Sequence, residues 1–434
     1  MNAKKPSECL PLPEIWYDAS THAYWIPNGR GGYVNVNESS ARRYLKANGV
    51  TSQKLEDQML SPADALILET QQQRSVDYAG PLAGYRVGVH QIGCQNILVT
   101  ESPRLIAPVA GDWPTLDSLL TGLFMDEVGD QRPYFNGWVK VALDTLHRGV
   151  RRPGQALAMA GPHDCGKSLL QNLVTILLGG RQAKPYQYMT GGSPFNADLF
   201  GAEHLMIEDD MPSTDIRARR NFGSHLKSVT VNDVQRCHAK NRTPVSLTPF
   251  WRLTITINDE PENLMVLPPV DDSIADKIIL LRANKRPMPM PTGTLDERHK
   301  FWDTLVAELP AYAHWLLHVW DIPTELLSQR FGITHFHHPD ILRSLDDLAP
   351  EMRLMSLIDG ELFKSPTTTE WNGTADELER RLTGSESTCQ YEARRLFSFN
   401  TAAGVYLGRL AKKQAERVNQ RRAKGIHKYT ISAP

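Results

Sequence analysis

The first part of the chain reads with a period of two. IWYDASTHAYWIPNGRGGYVNVN, residues 15–37, alternates aromatic and β-branched residues with polar ones around Asn28-Gly29 and Gly31-Gly32. That pattern predicts a β-hairpin. SSARRYLKANGV follows with helical spacing and closes at Asn48-Gly49, a helix stop signal. YRVGVH and NILVT return to strand character, so residues 1–110 are expected to form a small α+β module. The period then lengthens. TLDSLLTGLF and YFNGWVKVALDTLHRGV place apolar residues at helical spacing, which predicts a helical collar over 111–150. Short apolar strands alternate with helices over 151–285, the pattern of an α/β core. RANKRPMPMPTGT is a proline-rich linker, and with the helical segments after it fills 286–365. A last unit is expected over 366–434. Thr374 and Glu377 form a capping box there, QYEARRLFSF and NTAAGVYLGRLAKKQ read as helices, and ERVNQRRAKGIHKYTISAP reads as a hairpin around Lys424-Gly425. There is no internal repeat.

Composition narrows the picture. The chain has 434 residues, 41% hydrophobic and 22% charged, an ordinary globular balance long enough for more than one domain. Its formal net charge of −1 gives no global field to attract nucleic acid, so any such contact must come from local basic patches. The five cysteines are scattered without a C-x-x-C pair, which fits a reducing compartment and argues against a disulfide framework or zinc finger. MNAKKPSECLPLPE has no apolar core, and no apolar run is long enough for a bilayer, so a cytoplasmic protein without a membrane partner is expected.

The chemistry begins at GPHDCGKS, residues 161–168, which fits Gly, four free positions, Gly, Lys, Ser. ALAMA before it reads as a buried strand and SLLQNLVTILLGG after it as a helix. Strand, loop and helix N-terminus are what a phosphate cradle needs: backbone N–H groups and the helix dipole bind the phosphates. Lys167 then reaches the β- and γ-phosphates of ATP, and Ser168 ligates Mg²⁺. Hydrolysis also needs an acid for the metal and one to order water. HLMIEDDM supplies an apolar run followed by Glu208, Asp209 and Asp210. FWRLTITINDEP is a β-branched strand ending in Asn258, whose amide can bond a phosphate or the attacking water; alone it reads equally well as the start of a turn.

Taken together, these motifs in this order resemble the superfamily-3 helicases of small DNA viruses and the phage and poxvirus-type primase-helicases. The resemblance covers residues 112–283 and implies an AAA+-like P-loop ATPase core. It makes Gly161, Gly166, Lys167 and Ser168 the Walker A residues, Glu208 and Asp209 Walker B, and Asn258 sensor 1. Pro162, Asp164 and Cys165 occupy the variable positions of the cradle; Cys165 is a tolerated small residue or a thiol sensor. In the family, the stretch between the acids and the asparagine carries a hairpin that grips single-stranded DNA in the channel of a hexamer. Here it is HLKSVTVNDVQRCHAKNRTPVSLTP, with Arg236, His238, Lys240 and Arg242 near the tip, where closely spaced cations suit successive phosphates. A solvated charged turn would have the same composition. The family's arginine finger has no plain counterpart: Lys277 stands where arginine is expected, and Arg282, Arg217, Arg219 and Arg220 are the other candidates.

The C-terminal pattern of helices and hairpin is that of a winged helix, as in many phage primase-helicase-type proteins. Its basic residues include Lys412, Lys413, Arg421 and Arg422, which suit a duplex backbone or face solvent around a protein-docking surface. THFHHPD contains His335, His337 and His338 but no further ligand at a metal-binding spacing. The expectation is therefore an ATP- and Mg²⁺-dependent, hexameric DNA helicase or replication ATPase of phage or mobile-element type, with any priming left to another chain. The alternatives are a small-molecule P-loop kinase, or a DNA-binding initiator or loader with weak or no ATPase activity.

Overall fold

The computed structural model describes residues 13–54, 56, 58–208, 216–365, 367–423 and 425–434; the side chains of 216, 217, 261, 262 and 423 lie outside that description. Asp209 and Lys424 fall outside it altogether, as does the side chain of Arg217. The chain divides into two compact units, one of residues 1–268 and 272–338, the other of 269–271 and 339–434.

In the first unit the runs ALAMA, HLMIE, RLTITI and IILLR form a parallel sheet because they are apolar on both faces and can be covered on both. Five strands lie in the order Ile278–Arg282, Ala156–Ala160, Arg252–Ile257, His204–Glu208, Gln182–Ala183. Every neighbouring pair is parallel, with Ala160 opposite both Arg282 and Ile257, and Glu208 opposite Thr256. The strand ends therefore share one edge of the sheet. Strand Arg252–Ile257 lies between the strand that feeds the 161–168 loop and the strand that ends in Glu208, although it follows both in sequence.

Within 111–150, Pro114–Phe124 and Arg132–Arg148 are helices, which pack with Leu295–His314 over Leu157, Met159, Ile279 and Leu281 of the sheet. The helix Pro114–Phe124 has no side-chain cap of its own. Glu308 supplies one from a distant helix, accepting from the N–H groups of Thr115 and Leu116 at 3.2 and 2.8 Å, where a carboxylate complements the exposed donors and the dipole.

The N-terminal residues form a four-stranded sheet and a three-stranded one, with helices Glu38–Ala47 and Pro62–Gln73. The hairpin Ala23–Pro27/Tyr33–Val36 turns at Asn28, whose side chain accepts from the N–H groups of Arg30 and Gly32. Gly29 and Gly31 take the positive φ angles of 70° and 80° that such a turn requires. Glu203, fully buried, anchors this region to the parallel sheet. It receives the guanidinium of Arg181 and, at 2.7 Å, the N–H of Gly84.

The second unit has its own core. Helix Pro350–Leu362 sets Leu354, Met355 and Ile358 against Leu378, Leu407 and Leu410. Helices Ala375–Thr383, Gln390–Leu396 and Ala402–Lys413 follow. The expected hairpin, Val418–Ala423 with Ile426–Ser432, gains a third strand, Glu370–Thr374, to make an antiparallel sheet. The Thr374 capping box forms in both directions: the N–H of Glu377 donates to the threonine hydroxyl, and the N–H of Thr374 donates to the glutamate at 2.7 Å. No helix among the described residues is long and apolar enough to cross a membrane.

Candidate functional site

The loop 161–168 leaves the sheet at Ala160 and enters helix Lys167–Leu177. Two features of its backbone depend on residue type. Gly166 has φ 103°, a left-handed conformation that suits glycine, and Asp164 sits at φ 57°. Gly161 is needed for space: a Cβ there would run into the carbonyl oxygen of Ala283. Cys165 is buried and counts with the hydrophobic core, and its Sγ lies 3.7 Å from the Nζ of Lys167.

Lys167 is also buried. Its Nζ donates to the carbonyl oxygens of Gly161 at 2.6 Å and Pro162 at 2.7 Å, and to Oδ1 of Asn258 at 3.2 Å. An ammonium has three donors, so these contacts satisfy it. The strand order explains the third contact. With Arg252–Ile257 beside the loop strand, the residue after it, Asn258, is carried to the loop.

These residues open into a cavity of about 400 Å³. Asp164, Gly166, Lys167, Ser168 and Asn258 line one side. The other side comes from the segment read as a linker and the helical stretch after it: Met288, Thr292, Arg298 and Phe301. Arg298 is exposed and makes no ion pair among the described residues. Sequence reasoning missed these four. A signal was available, because Thr294 and Glu297 form a capping box that starts helix Leu295–His314, and it places Arg298 and Phe301 in the first turns. The donor set suits a polyphosphate: a lysine, an arginine, a helix N-terminus and a glycine-dependent loop. Ser168 lines the cavity and can offer a hydroxyl to a divalent cation.

The other expected site residues divide. Glu208 ends its strand one position over from Asn258's strand; its carboxylate is held by Lys184 at 3.0 Å and does not line the cavity. His163 faces Glu260 at 3.6 Å. Lys277 is largely buried and its Nζ bonds Asp276 at 2.5 Å. Arg282 ends a strand beside the loop strand, its backbone held by Gln131. Arg219 donates to the carbonyl of Leu267 at 3.3 Å, and Arg220 is exposed on the same helix, Ile216–Val231.

The basic hairpin exists. Gln235–Cys237 pairs with Val245–Leu247 in antiparallel register. Arg236, Lys240 and Arg242 are exposed, and His238 is half-buried against Phe195. Asn196, which the sequence did not single out, pins the first strand: its Nδ2 donates to Arg236 O at 3.0 Å and its Oδ1 accepts from His238 N at 2.7 Å.

In the second unit, Lys412, Arg421 and Arg422 are exposed. Lys413 differs: its Nζ bonds Asp346 at 2.9 Å and lies 3.5 Å from Glu351. The neighbouring Arg409 and Arg417 also pair internally, with Glu351 and Asp359. Part of the basic patch read from the sequence is therefore neutralised by the two preceding helices. Of the clustered histidines, His337 bonds the carbonyls of Ala275 and Ile278, and His338 bonds Asp126 at 3.0 Å.

Three comparisons bear on this architecture. The model of a family of unknown function, DUF5906, matches residues 159–273, the stretch that carries the loop, Glu208, the hairpin and Asn258. No curated protein matches the chain. Among solved structures, an apo structure of the NrS-1 C-terminal region matches with a TM-score of 0.55 and 12% identity over 97% of this chain and 96% of that one. The A form of the same region gives 0.54 at 12% identity, with the same coverage. A structure described as SCCmec type IV Cch, an active helicase, matches with a TM-score of 0.31 and 10% identity over 93% and 73% of the two chains. The chain thus shares the mixed α/β fold of the NrS-1 C-terminal region; at this identity the likeness is one of fold.

Proposed function

We propose that this chain is an ATP-driven DNA helicase or replication ATPase of superfamily-3 type, translocating on single-stranded DNA. The observation that carries the reading is the meeting of Lys167 and Asn258 in one cavity at the carboxyl edge of a parallel sheet, with Arg298 on its far wall. The strand order supports an AAA+-like P-loop core over 151–285. Binding of ATP exchanges the carbonyls now held by Lys167 for phosphate oxygens, which replaces neutral acceptors with anionic ones. Asn258 then bonds the γ-phosphate or the attacking water. Ser168, with Glu208 and Asp209, would hold Mg²⁺, which would neutralise the charge that develops on the phosphate oxygens. Glu208 must leave Lys184 to serve there.

Arg236, His238, Lys240 and Arg242 form the contact with single-stranded DNA. In the second unit, read as a winged helix, Lys412, Arg421 and Arg422 form the duplex contact, and Lys413 contributes less because Asp346 holds it. The working form is a homo-oligomer, a hexamer, whose neighbouring subunit completes the ATP site. Arg220 is the best finger candidate, being exposed where Lys277 is paired and largely buried. A duplex-binding initiator or loader with weak turnover is the second reading, and the Lys184–Glu208 ion pair favours it.

Steady-state ATP hydrolysis with and without single-stranded DNA tests the proposal. Stimulation by DNA, lost in Lys167→Ala with the fold intact, is expected. Equal hydrolysis by wild type and Lys167→Ala would discard the nucleotide site. Tight duplex binding without turnover would select the initiator.

A further inference from the structure

A second cavity, of about 350 Å³, lies in the first unit where helix Arg132–Arg148 ends. That volume is within the range of small-ligand sites. Its charge is one-sided. Arg86, His147, Arg148 and Arg151 line it, and no acidic residue does among the described residues. Arg148 pairs with Asp144 at 2.6 Å and Arg151 lies 3.6 Å from Asp233, both outside the lining. Arg86 is exposed and makes no ion pair among the described residues. Leu105, Leu146 and Phe250 give the cavity an apolar floor.

One polar atom has no explanation within the chain. His147 lines the cavity, and its Nε2 is buried without a hydrogen-bond partner, at a cost of about 1–3 kcal/mol. Burial, and next the charge of Arg86, hold this imidazole below its ordinary range, so it is neutral near pH 7 and can present Nε2 as donor or acceptor.

The cavity also sits at the root of the basic hairpin. Arg151 donates to the carbonyls of Asn232 and Asp233, just before the first hairpin strand. Tyr85 bonds Thr248 at 2.8 Å, directly after the second.

We infer that this cavity is a second ligand site, taking a phosphorylated nucleoside, either free or at the end of a nucleic-acid strand. Arg86, Arg148 and Arg151 meet the phosphate, His147 lies against the ligand, and the apolar floor receives its ring. Both hairpin ends are tied to residues of this site, so occupancy bears directly on the DNA-contacting element.

The test is calorimetric titration of the full chain carrying Lys167→Ala, which removes the loop's cation. The probes are adenosine monophosphate, and a short oligodeoxynucleotide with a 5′-phosphate against the same strand with a 5′-hydroxyl. Binding of the mononucleotide, or phosphate-dependent binding of the strand, is expected; the first identifies a free nucleotide and the second a strand end. Adding Arg86→Glu should weaken that binding about tenfold or more, equivalent to ~1.4 kcal/mol, with His147→Gln acting in the same direction. The inference is overturned if neither probe binds. It is equally overturned if Arg86→Glu and His147→Gln leave affinity unchanged in chains with wild-type thermal unfolding. Failure of the ATP reading is distinguishable, because Lys167→Ala would then bind nucleotides as wild type does.

Discussion

Burial without charge compensation decides much at the scale of single residues. Lys167 is buried, and two loop carbonyls and Asn258 receive the donors of its Nζ. His204 resolves the same problem by staying neutral. Its ring lies between the hydroxyls of Thr175 and Thr254, 2.7 Å from each, and burial pushes its pKa from 6.5 down to about 3. The unfolded chain therefore binds a proton below pH 6.5 that the folded chain refuses. The stability this group provides is complete above about pH 6.5 and is lost as pH falls toward 3, at about 1.4 kcal/mol per pH unit. Urea unfolding at pH 7 and pH 4.5 should show His204→Gln less acid-sensitive than wild type. Parallel pH dependences in the two proteins would remove His204 from the account.

Elements meet at points that local pattern does not reveal. The basic hairpin is short, and two strands of three residues do not hold themselves in water. Asn196, some forty residues earlier in the chain, supplies the anchor, using both ends of its amide. Asn196→Ala leaves the His238 N–H and the Arg236 carbonyl without those bonds, a cost of about 1–3 kcal/mol concentrated on the hairpin. On the proposed function, fluorescence anisotropy should then show weaker single-stranded DNA binding, while basal ATP hydrolysis, whose cavity neither Asn196 nor the hairpin lines, stays near wild type. Wild-type DNA affinity in this variant would separate the hairpin from DNA contact. The helix Leu295–His314 shows the same logic in a different form. Its capping box is local, but its consequence is to deliver Arg298 and Phe301 to a cavity whose other wall is more than a hundred residues earlier.

For the whole molecule, the second unit is set apart by a core of its own. Leu354, Met355 and Ile358 are buried with Leu378, Leu407 and Ile431, and helix Pro350–Leu362 also supplies Glu351 and Asp359 to Arg409 and Arg417. The unit that begins at 339 thus includes two helices that the sequence pattern assigned to the linker region. Residues 339–434 produced alone should unfold in one cooperative transition by circular dichroism, whereas 366–434, stripped of those helices, should not. A cooperative transition in the shorter piece would show that the preceding helices are dispensable to the core.

What the sequence determined by itself was local: the strand-loop-helix of 156–177, the buried strands ending at Glu208 and near Asn258, the helices within 111–150, the Thr374 capping box and the hairpin at 235–247. Period, caps and glycine positions act over a few residues, so one stretch of chain suffices to read them. Tertiary structure alone decided which charges meet. Inserting strand Arg252–Ile257 beside the loop joins Lys167 to Asn258, a fold-back of the linker and the helix after it adds Arg298, and packing of helices sends Lys413 to Asp346 and Glu208 to Lys184. Those partners come from distant segments, and their meeting depends on strand order and on which faces the core buries, neither of which any single stretch contains.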